Sequence, residues 1–486
     1  MNFAQAVERE TKFTKTENGA VALNTTGNAC LDLYSTIGSL RDAELSRVLS
    51  LFDEAYKENP LLATKIVFYA RDVRGGLGER KVFRDLIHHM ACVYPESIKN
   101  NIYWIPEYGR YDDWYALVDT PLEQDMWTHM KSQMVEDFKD YNNGKQISLL
   151  AKWLKTADAS SKKTRELGIK TALGFGISVR NYKRIVRNLR KYLKITETYM
   201  SANKWNEIFY PSVPSRCMLN NQYAFYRHDA ERFQQYKEDV SNGRQKINSS
   251  TLYPYDLINE IDSPYESDHA IAEAQWKNLP NYVEPGRNVL VMADVSGSMN
   301  GRPMQTSVGL AIYFAERNIG PYHNLFMTFS GDPEFVSLKG NTLYEKYSNA
   351  ISAEWGFNTD LKKAFDKILK VAIDNHIDQE EMPEALVVIS DMEIDQCTND
   401  SWTFYDQMAD EFKKHGYEIP NIVFWNVQSR NNVFHADSNR KGVQLCSGQS
   451  ASTFQNVISA IGLTPIEAME MVINSERYDN ISITSK

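Results

Sequence analysis

Asp294-Val295-Ser296-Gly297-Ser298 follows directly on the apolar run Asn288-Val289-Leu290-Val291-Met292-Ala293, and this junction decides how the C-terminal part of the chain folds. A short continuous apolar run is a strand buried on both faces, as in a parallel sheet. In an open α/β sheet, ligands bind beyond the carboxyl ends of the strands, and the pentapeptide occupies that place. One carboxylate and two hydroxyls at alternating positions of a tight loop can face one point, and Gly297 lets the backbone turn there.

Outward from this junction the texture stays α/β. Pro303 to Arg317 reads as a helix, Leu325 to Phe329 as a strand, Asp360 to Ile373 as a helix, and Ala385 to Ile389 as another buried strand. Trp402 to Lys414 is a helix, Asn421 to Val427 and Gly442 to Cys446 are strands, and Thr453 to Val472 is a closing helix. Apolar strands alternating with helices predict a doubly wound parallel sheet covered on both faces. Thr359, in the loop Gly356-Phe357-Asn358-Thr359-Asp360, opens a helix, and Asp391 lies just past the carboxyl end of a strand. A parallel sheet places both beside Asp294.

Asp294, Ser296, Ser298, Thr359 and Asp391 thus form a candidate set of hard oxygen ligands. Such a set suits Mg²⁺, with Mn²⁺ as a substitute. Ca²⁺ is disfavoured by the presence of only two carboxylates. The competing reading is that these Asp and Ser residues cap helix N-termini. An ion held by two carboxylates and neutral hydroxyls keeps positive character and open positions, which an Asp or Glu of a partner could fill. An enzyme would need a base to activate metal-bound water. Glu393 and Asp395 are close in sequence but read as a solvated acidic loop, so no enzyme is expected. The nine histidines form no HExxH, and neither a GxSxG elbow nor a Walker loop occurs.

The first half is of another kind. Leu45, Val48, Leu49 and Phe52 mark one helical stripe, Leu62, Ile66 and Tyr69 the next, and Val82, Phe83, Leu86, Ile87 and Met90 a third. Helix upon helix with short breaks predicts an α-solenoid. The expected organisation is a helical domain over 1–242, a linker rich in polar residues and proline over 243–285 with a short helix around Ala270 to Lys277 inside it, and the α/β domain over 286–486. Arg71-Asp72-Val73-Arg74-Gly75-Gly76-Leu77-Gly78-Glu79-Arg80 follows a helix, so it reads as an interhelical turn held by its own charges.

The net charge of −9 conceals an asymmetry. Residues 141–250 hold 21 Lys and Arg against 8 Asp and Glu, a surplus of 13, which leaves −22 for the rest. A strongly basic segment is an electrostatic footprint of phosphate binding, although a solvated helix face has the same composition. The candidate RNA-binding face is Lys183, Arg184, Arg187, Arg190, Lys191 and Lys194, with Ile185, Val186, Leu189 and Leu193 on the apolar side. Tyr182 and Tyr223 could stack on bases, but aromatics at that spacing more often belong to a core. Five scattered cysteines with no CxxC fit a reducing, cytoplasmic setting. Neither an apolar signal-peptide core nor a stretch of membrane-spanning length is found.

The segment Thr16 to Leu31, the RDVRGGLGER stretch, and the DVSGSM, WGFNTDL and SDMEID motifs together resemble a family of viral and plant proteins related to the Ro ribonucleoprotein. That layout is a TROVE module of HEAT-like repeats followed by a von Willebrand factor A domain. The resemblance implies that the five residues named above form a metal-ion-dependent adhesion site. It also implies a helical ring closed by the A domain, with small structured RNA on its outer basic surface and single-stranded RNA ends in its hole. The expected function is therefore a non-catalytic RNA-binding scaffold with a metal-dependent docking domain. The alternative is a protein adaptor that captures a partner's acidic residue without RNA. Neither membrane nor DNA is an expected partner.

Overall fold

The computed structural model describes residues 13–263, 269–353, 359–395 and 401–483, without the side chains of 401–404. Gly356 to Asn358, Cys397 and residues 1–12 of the sequence reading lie outside these. The C-terminal half contains a six-stranded sheet. Its strands are β3 (Val289–Asp294), β4 (Leu325–Phe329), β5 (Phe335–Ser337), β6 (Ala385–Ser390), β7 (Asn421–Asn426) and β8 (Val443–Ser447). They lie in the order β5-β4-β3-β6-β7-β8. All neighbours are parallel except β4 and β5, so the sheet is mixed rather than wholly parallel. β5 follows β4 after a tight turn, and such a short connection can only return the chain antiparallel.

Both faces are covered, and the strands alternate between two cores. Val289, Val291, Ala293, Val387 and Ile389 pack with Leu310, Phe314 and Phe454, from the helices Arg302–Arg317 and Thr453–Ser459. Leu290, Met292, Leu386 and Val388 pack with Leu361, Phe365, Met408 and Phe412, from the helices Leu361–Asp374 and Ser401–Lys414. The chain leaves β3 for β4 on one side and returns to β6 on the other. The gap between β3 and β6 is therefore the topological switch point, where such sheets open a crevice at their carboxyl edge.

The helical half runs from Ala29 to Ser241. Its largest core gathers Phe52, Phe68, Phe83, Trp114, Trp127 and Tyr182. Among the described residues, no helix is long and apolar enough to cross a membrane.

Three features depart from the sequence reading. The stretch expected as a linker over 243–285 holds the helices Pro254–Ile261 and Ala270–Lys277, in which Leu257 and Ile258 are fully buried. They join the core under β3; Pro254, one of the prolines that suggested a linker, opens the first of them, while the second lies where a short helix was expected. The closing helix is two helices, Thr453–Ser459 and Pro465–Ile473, because Pro465 has no N–H and starts a new helix capped by Thr464. The second of these, with Tyr478 and Ile481, is buried in the core of the helical half.

A hairpin of β1 (Phe13–Lys15) and β2 (Val21–Leu23) was not foreseen. It lies on the α/β half, where Leu23 and Phe434 exchange two backbone hydrogen bonds of 2.9 Å. Each end of the chain is thus clasped to the other half. Between them the halves approach closely. A Cβ on Gly38 would lie 2.7 Å from the Gly448 backbone, and the Gly38 N–H donates to Ser447 Oγ at 3.0 Å.

Candidate functional site

The expected donor residues meet at the carboxyl edge of β3 and β6. Asp294 ends β3 and is 1% exposed. Its Oδ1 accepts from the Ser296 N–H at 2.8 Å and its Oδ2 from Ser390 Oγ at 2.6 Å, so the loop after β3 and the end of β6 are tied to one carboxylate. The Ser296 and Ser298 hydroxyls lie 3.0 Å apart. Asp391 follows β6, is equally buried, and accepts from the Glu393 N–H at 3.2 Å. The Arg430 guanidinium donates both to Asp391 Oδ2 and, at 3.2 Å, to the Ser298 carbonyl, which puts these two loops side by side. Thr359 is on the same edge. Its hydroxyl accepts from the Asp395 N–H at 3.0 Å, and the next residue, Asp360, donates to the carbonyl of Ser330, just past β4.

Electrostatics sharpen the picture. Burial, opposed by the Ser390 hydrogen bond and reinforced by the nearby Asp391 carboxylate, pushes Asp294 up to about 6. Two buried, adjacent carboxylates with neutral hydroxyls suit a hard divalent cation, which would relieve that repulsion. Among the described residues no group of three or more His, Cys, Asp and Glu converges. The expected donor set has only two carboxylates and would take its remaining oxygens from Ser and Thr.

Glu393 and Asp395, read from sequence as a solvated loop, are neither free nor idle. Glu393 is 3% exposed and burial raises its pKa. It accepts from the Glu17 N–H at 2.6 Å and from Asn431 Nδ2 at 3.0 Å, while its carbonyl accepts from Asn18 Nδ2 at 2.6 Å. Asp395 accepts from the Thr359 N–H at 2.5 Å. The acidic residues after Asp391 therefore hold the N-terminal hairpin and the Thr359 loop in place.

The expected basic face is divided. Arg184, Arg187, Lys191 and Lys194 are exposed on or just after the helix Val179–Tyr192. Lys183 instead pairs with Asp158 at 2.8 Å. Arg190 turns inward and donates to the carbonyls of Ala151 at 2.8 Å and Leu154 at 2.6 Å, closing the end of a short helix. The reason is its place beside the apolar stripe rather than opposite it, which five-cation face counting overlooks. Tyr182 is fully buried, whereas Tyr223 is 75% exposed.

A larger basic surface lies elsewhere. A cavity of about 1550 Å³ opens between the halves, and its wall carries ten Lys and Arg against four Asp and Glu. Most of these cations come from outside the 141–250 segment, for example Arg41, Arg80, Arg110 and Arg302. Aromatics interleave with them. The Arg110 guanidinium lies 3.9 Å over the Trp153 ring, and that of Arg302 lies 4.1 Å over Tyr255. Arg302 and Arg41 meet on Gln449 Oε1 at 2.7 and 2.8 Å, which ties the two halves together at the wall. Among the described residues Arg80 has no ion-pair partner. Burial, with Arg110 and Arg84 close by, lowers its pKa.

The RDVRGGLGER stretch forms the expected interhelical turn, but its charges reach distant partners rather than each other, and Arg80 at its end faces the cavity. Arg71 pairs with Asp113 at 2.7 Å, and Asp72 accepts two bonds of 2.9 Å from Arg477.

The fold and site define a two-part chain, a helical run clasped to a doubly wound α/β domain with an oxygen donor set at its switch point. Comparison with known proteins gives the following. Residues 16–113 and 147–284 match a family described as a domain of unknown function, DUF2828, and residues 288–479 match another, DUF7788. The chain is 28% identical to "Uncharacterized protein L728" of Acanthamoeba polyphaga mimivirus, over 97% of this chain and 89% of that protein. It is also similar to the crystal structure of the Deinococcus radiodurans RO (RSR) protein, at 16% identity and a TM-score of 0.37, over 92% of this chain and 93% of that one. That structural likeness is too loose to build on.

Proposed function

We propose that this chain is a non-catalytic scaffold that takes single-stranded RNA into the cavity between its halves. The observation that supports this reading most is the cavity wall itself, with ten cations against four acids; six of the ten are ion-paired within the protein, and Arg80, Lys81, Arg190 and Arg302 have no ion pair among the described residues. Phosphates neutralise such a surplus, and Tyr103, an exposed aromatic of the cavity wall, offers a face on which a base stacks without demanding a sequence. Arg80, crowded by Arg84 and Arg110 and with no ion-pair partner among the described residues, gains most from an anion. The exposed Arg184, Arg187, Lys191 and Lys194 extend the basic surface outward, as a secondary contact for structured RNA.

The α/β half is proposed as a docking module of the von Willebrand A type. Asp294, Ser296, Ser298, Thr359 and Asp391 would hold Mg²⁺, or Mn²⁺ or Ca²⁺ in its place, and the ion would supply a Lewis-acidic position for a partner's carboxylate. The convergence of these residues at the switch point favours this second role.

Fluorescence anisotropy with a labelled single-stranded oligouridylate tests the RNA reading. With roughly five phosphates neutralised at about −0.7 log units each per decade of salt, a fourfold rise in salt should weaken binding about 10²-fold. An absence of binding at low salt would refute it.

A further inference from the structure

Arg430 sits at the rim of the candidate site and is bonded on two sides. Its guanidinium donates to Asp391 Oδ2 and to the Ser298 carbonyl, both beside the donor oxygens. On the other side it pairs with Glu17 of the N-terminal hairpin at 3.0 Å. The loop that carries it is held from three directions. Arg47 of the helical half donates to the carbonyls of Ser429 at 2.7 Å, Arg430 at 2.8 Å and Asn431 at 2.7 Å. Asn431 Nδ2 bonds both Glu17 and Glu393, at 3.1 and 3.0 Å. A guanidinium so anchored is already ordered for its task and loses little freedom in doing it.

A divalent cation at the donor set and Arg430 would draw on the same carboxylate. We propose that Arg430 sets the site's affinity for divalent cations by competing for Asp391, and that Glu17 relieves the competition by drawing the guanidinium toward the hairpin. This rests on the metal-site reading above. The hairpin then belongs to the metal site: what binds the ion more tightly also strengthens the Arg430–Glu17 pair, and the reverse holds by linkage.

The test is Mn²⁺ binding to the full chain by titration calorimetry, with Mn²⁺ alone as the probe. Arg430→Gln should bind Mn²⁺ roughly tenfold more tightly, since a like charge beside the ion is removed. Glu17→Gln should bind it several-fold more weakly. In the Arg430→Gln background, Glu17→Gln should change affinity less than twofold, because its lever is gone. A general field effect of Glu17 would instead act equally in both backgrounds and would overturn the proposal. So would an unchanged or weaker affinity in Arg430→Gln. If that variant does not fold, Glu17→Gln alone decides, since its side chain is half exposed: unchanged affinity refutes the idea. No Mn²⁺ binding by the unaltered chain would refute the metal-site reading itself, a distinct outcome.

Discussion

Arg477→Met should destabilise the chain by about 2–3 kcal/mol. Asp72 is fully buried, and its two oxygens accept from Arg477 Nε and Nη2 at 2.9 Å each, with the Tyr478 hydroxyl at 3.2 Å. Methionine keeps a stem of similar length against the Tyr108 ring, over which the guanidinium lies at 4.9 Å, and removes only the charged fork. Orphaning a buried carboxylate costs about 3–5 kcal/mol, and the lower figure applies here because the Arg477 head is a third exposed and screened by water. The Asp72→Asn, Arg477→Met double variant should recover about 1.5 kcal/mol of that loss, since no unpaired charge remains. Urea unfolding followed by far-ultraviolet circular dichroism measures both. A loss below about 0.5 kcal/mol for Arg477→Met, or strict additivity in the double variant, would refute the claim that this pair fastens the C-terminus to the helical half.

Other expectations follow from equally local geometry. Gly38→Ala pushes a Cβ to within 2.7 Å of the Gly448 backbone, so overpacking should cost about 1–3 kcal/mol and lower the thermal midpoint; an unchanged midpoint would contradict the close approach. Asp294→Ala should abolish the thermal stabilisation that Mg²⁺ or Mn²⁺ gives the chain, and a shift equal to that of the unaltered chain would remove Asp294 from the donor set. Burial outweighs the hydrogen bond to the Met392 carbonyl and holds the His435 imidazole below its usual pKa. The unfolded chain therefore takes up this proton first. The stabilisation is complete above the ordinary imidazole value of about 6.5 and shrinks as pH falls below it. His435→Gln should flatten stability between about pH 7 and 5, and an unaltered slope would exclude His435 as its source.

How much of this was legible in the sequence varies with the range of the interaction. The positions of Asp294 and Asp391 were legible because strand ends in a parallel sheet are placed by the apolar runs Val289–Ala293 and Ala385–Ile389, whereas Thr359 lies just before the helix Leu361–Asp374 and was marked only by its loop. The short helix Ala270–Lys277 was legible inside the expected linker, but Pro254–Ile261 was missed because prolines and polar residues dominate a local window, while the burial of Leu257 and Ile258 comes from contacts with the distant helix Arg302–Arg317. Glu17, Glu393 and Arg430 were missed for the same reason: some 376 positions separate Glu17 from Glu393, and nothing local marks either as a partner. The TENGAVAL segment was a sequence signal without an evident role, and the hairpin bonded to Glu393 and Arg430 supplies one. The basic segment misdirected attention, since net charge over 141–250 favoured a helix whose Arg190 is structural, while the cationic cavity wall is drawn largely from the part of the chain that sums to −22. Charge is organised by the fold, not by the segment.

The most direct test of the central claim is photocrosslinking of a 4-thiouridine oligonucleotide to the full chain, with the crosslinked residues located by mass spectrometry. The account predicts adducts at cavity residues such as Tyr103 and Trp153, lost on Arg80→Glu together with Arg110→Glu. Adducts confined to the outer helix around Arg184 to Lys191 and to Tyr223, with none in the cavity, would contradict it.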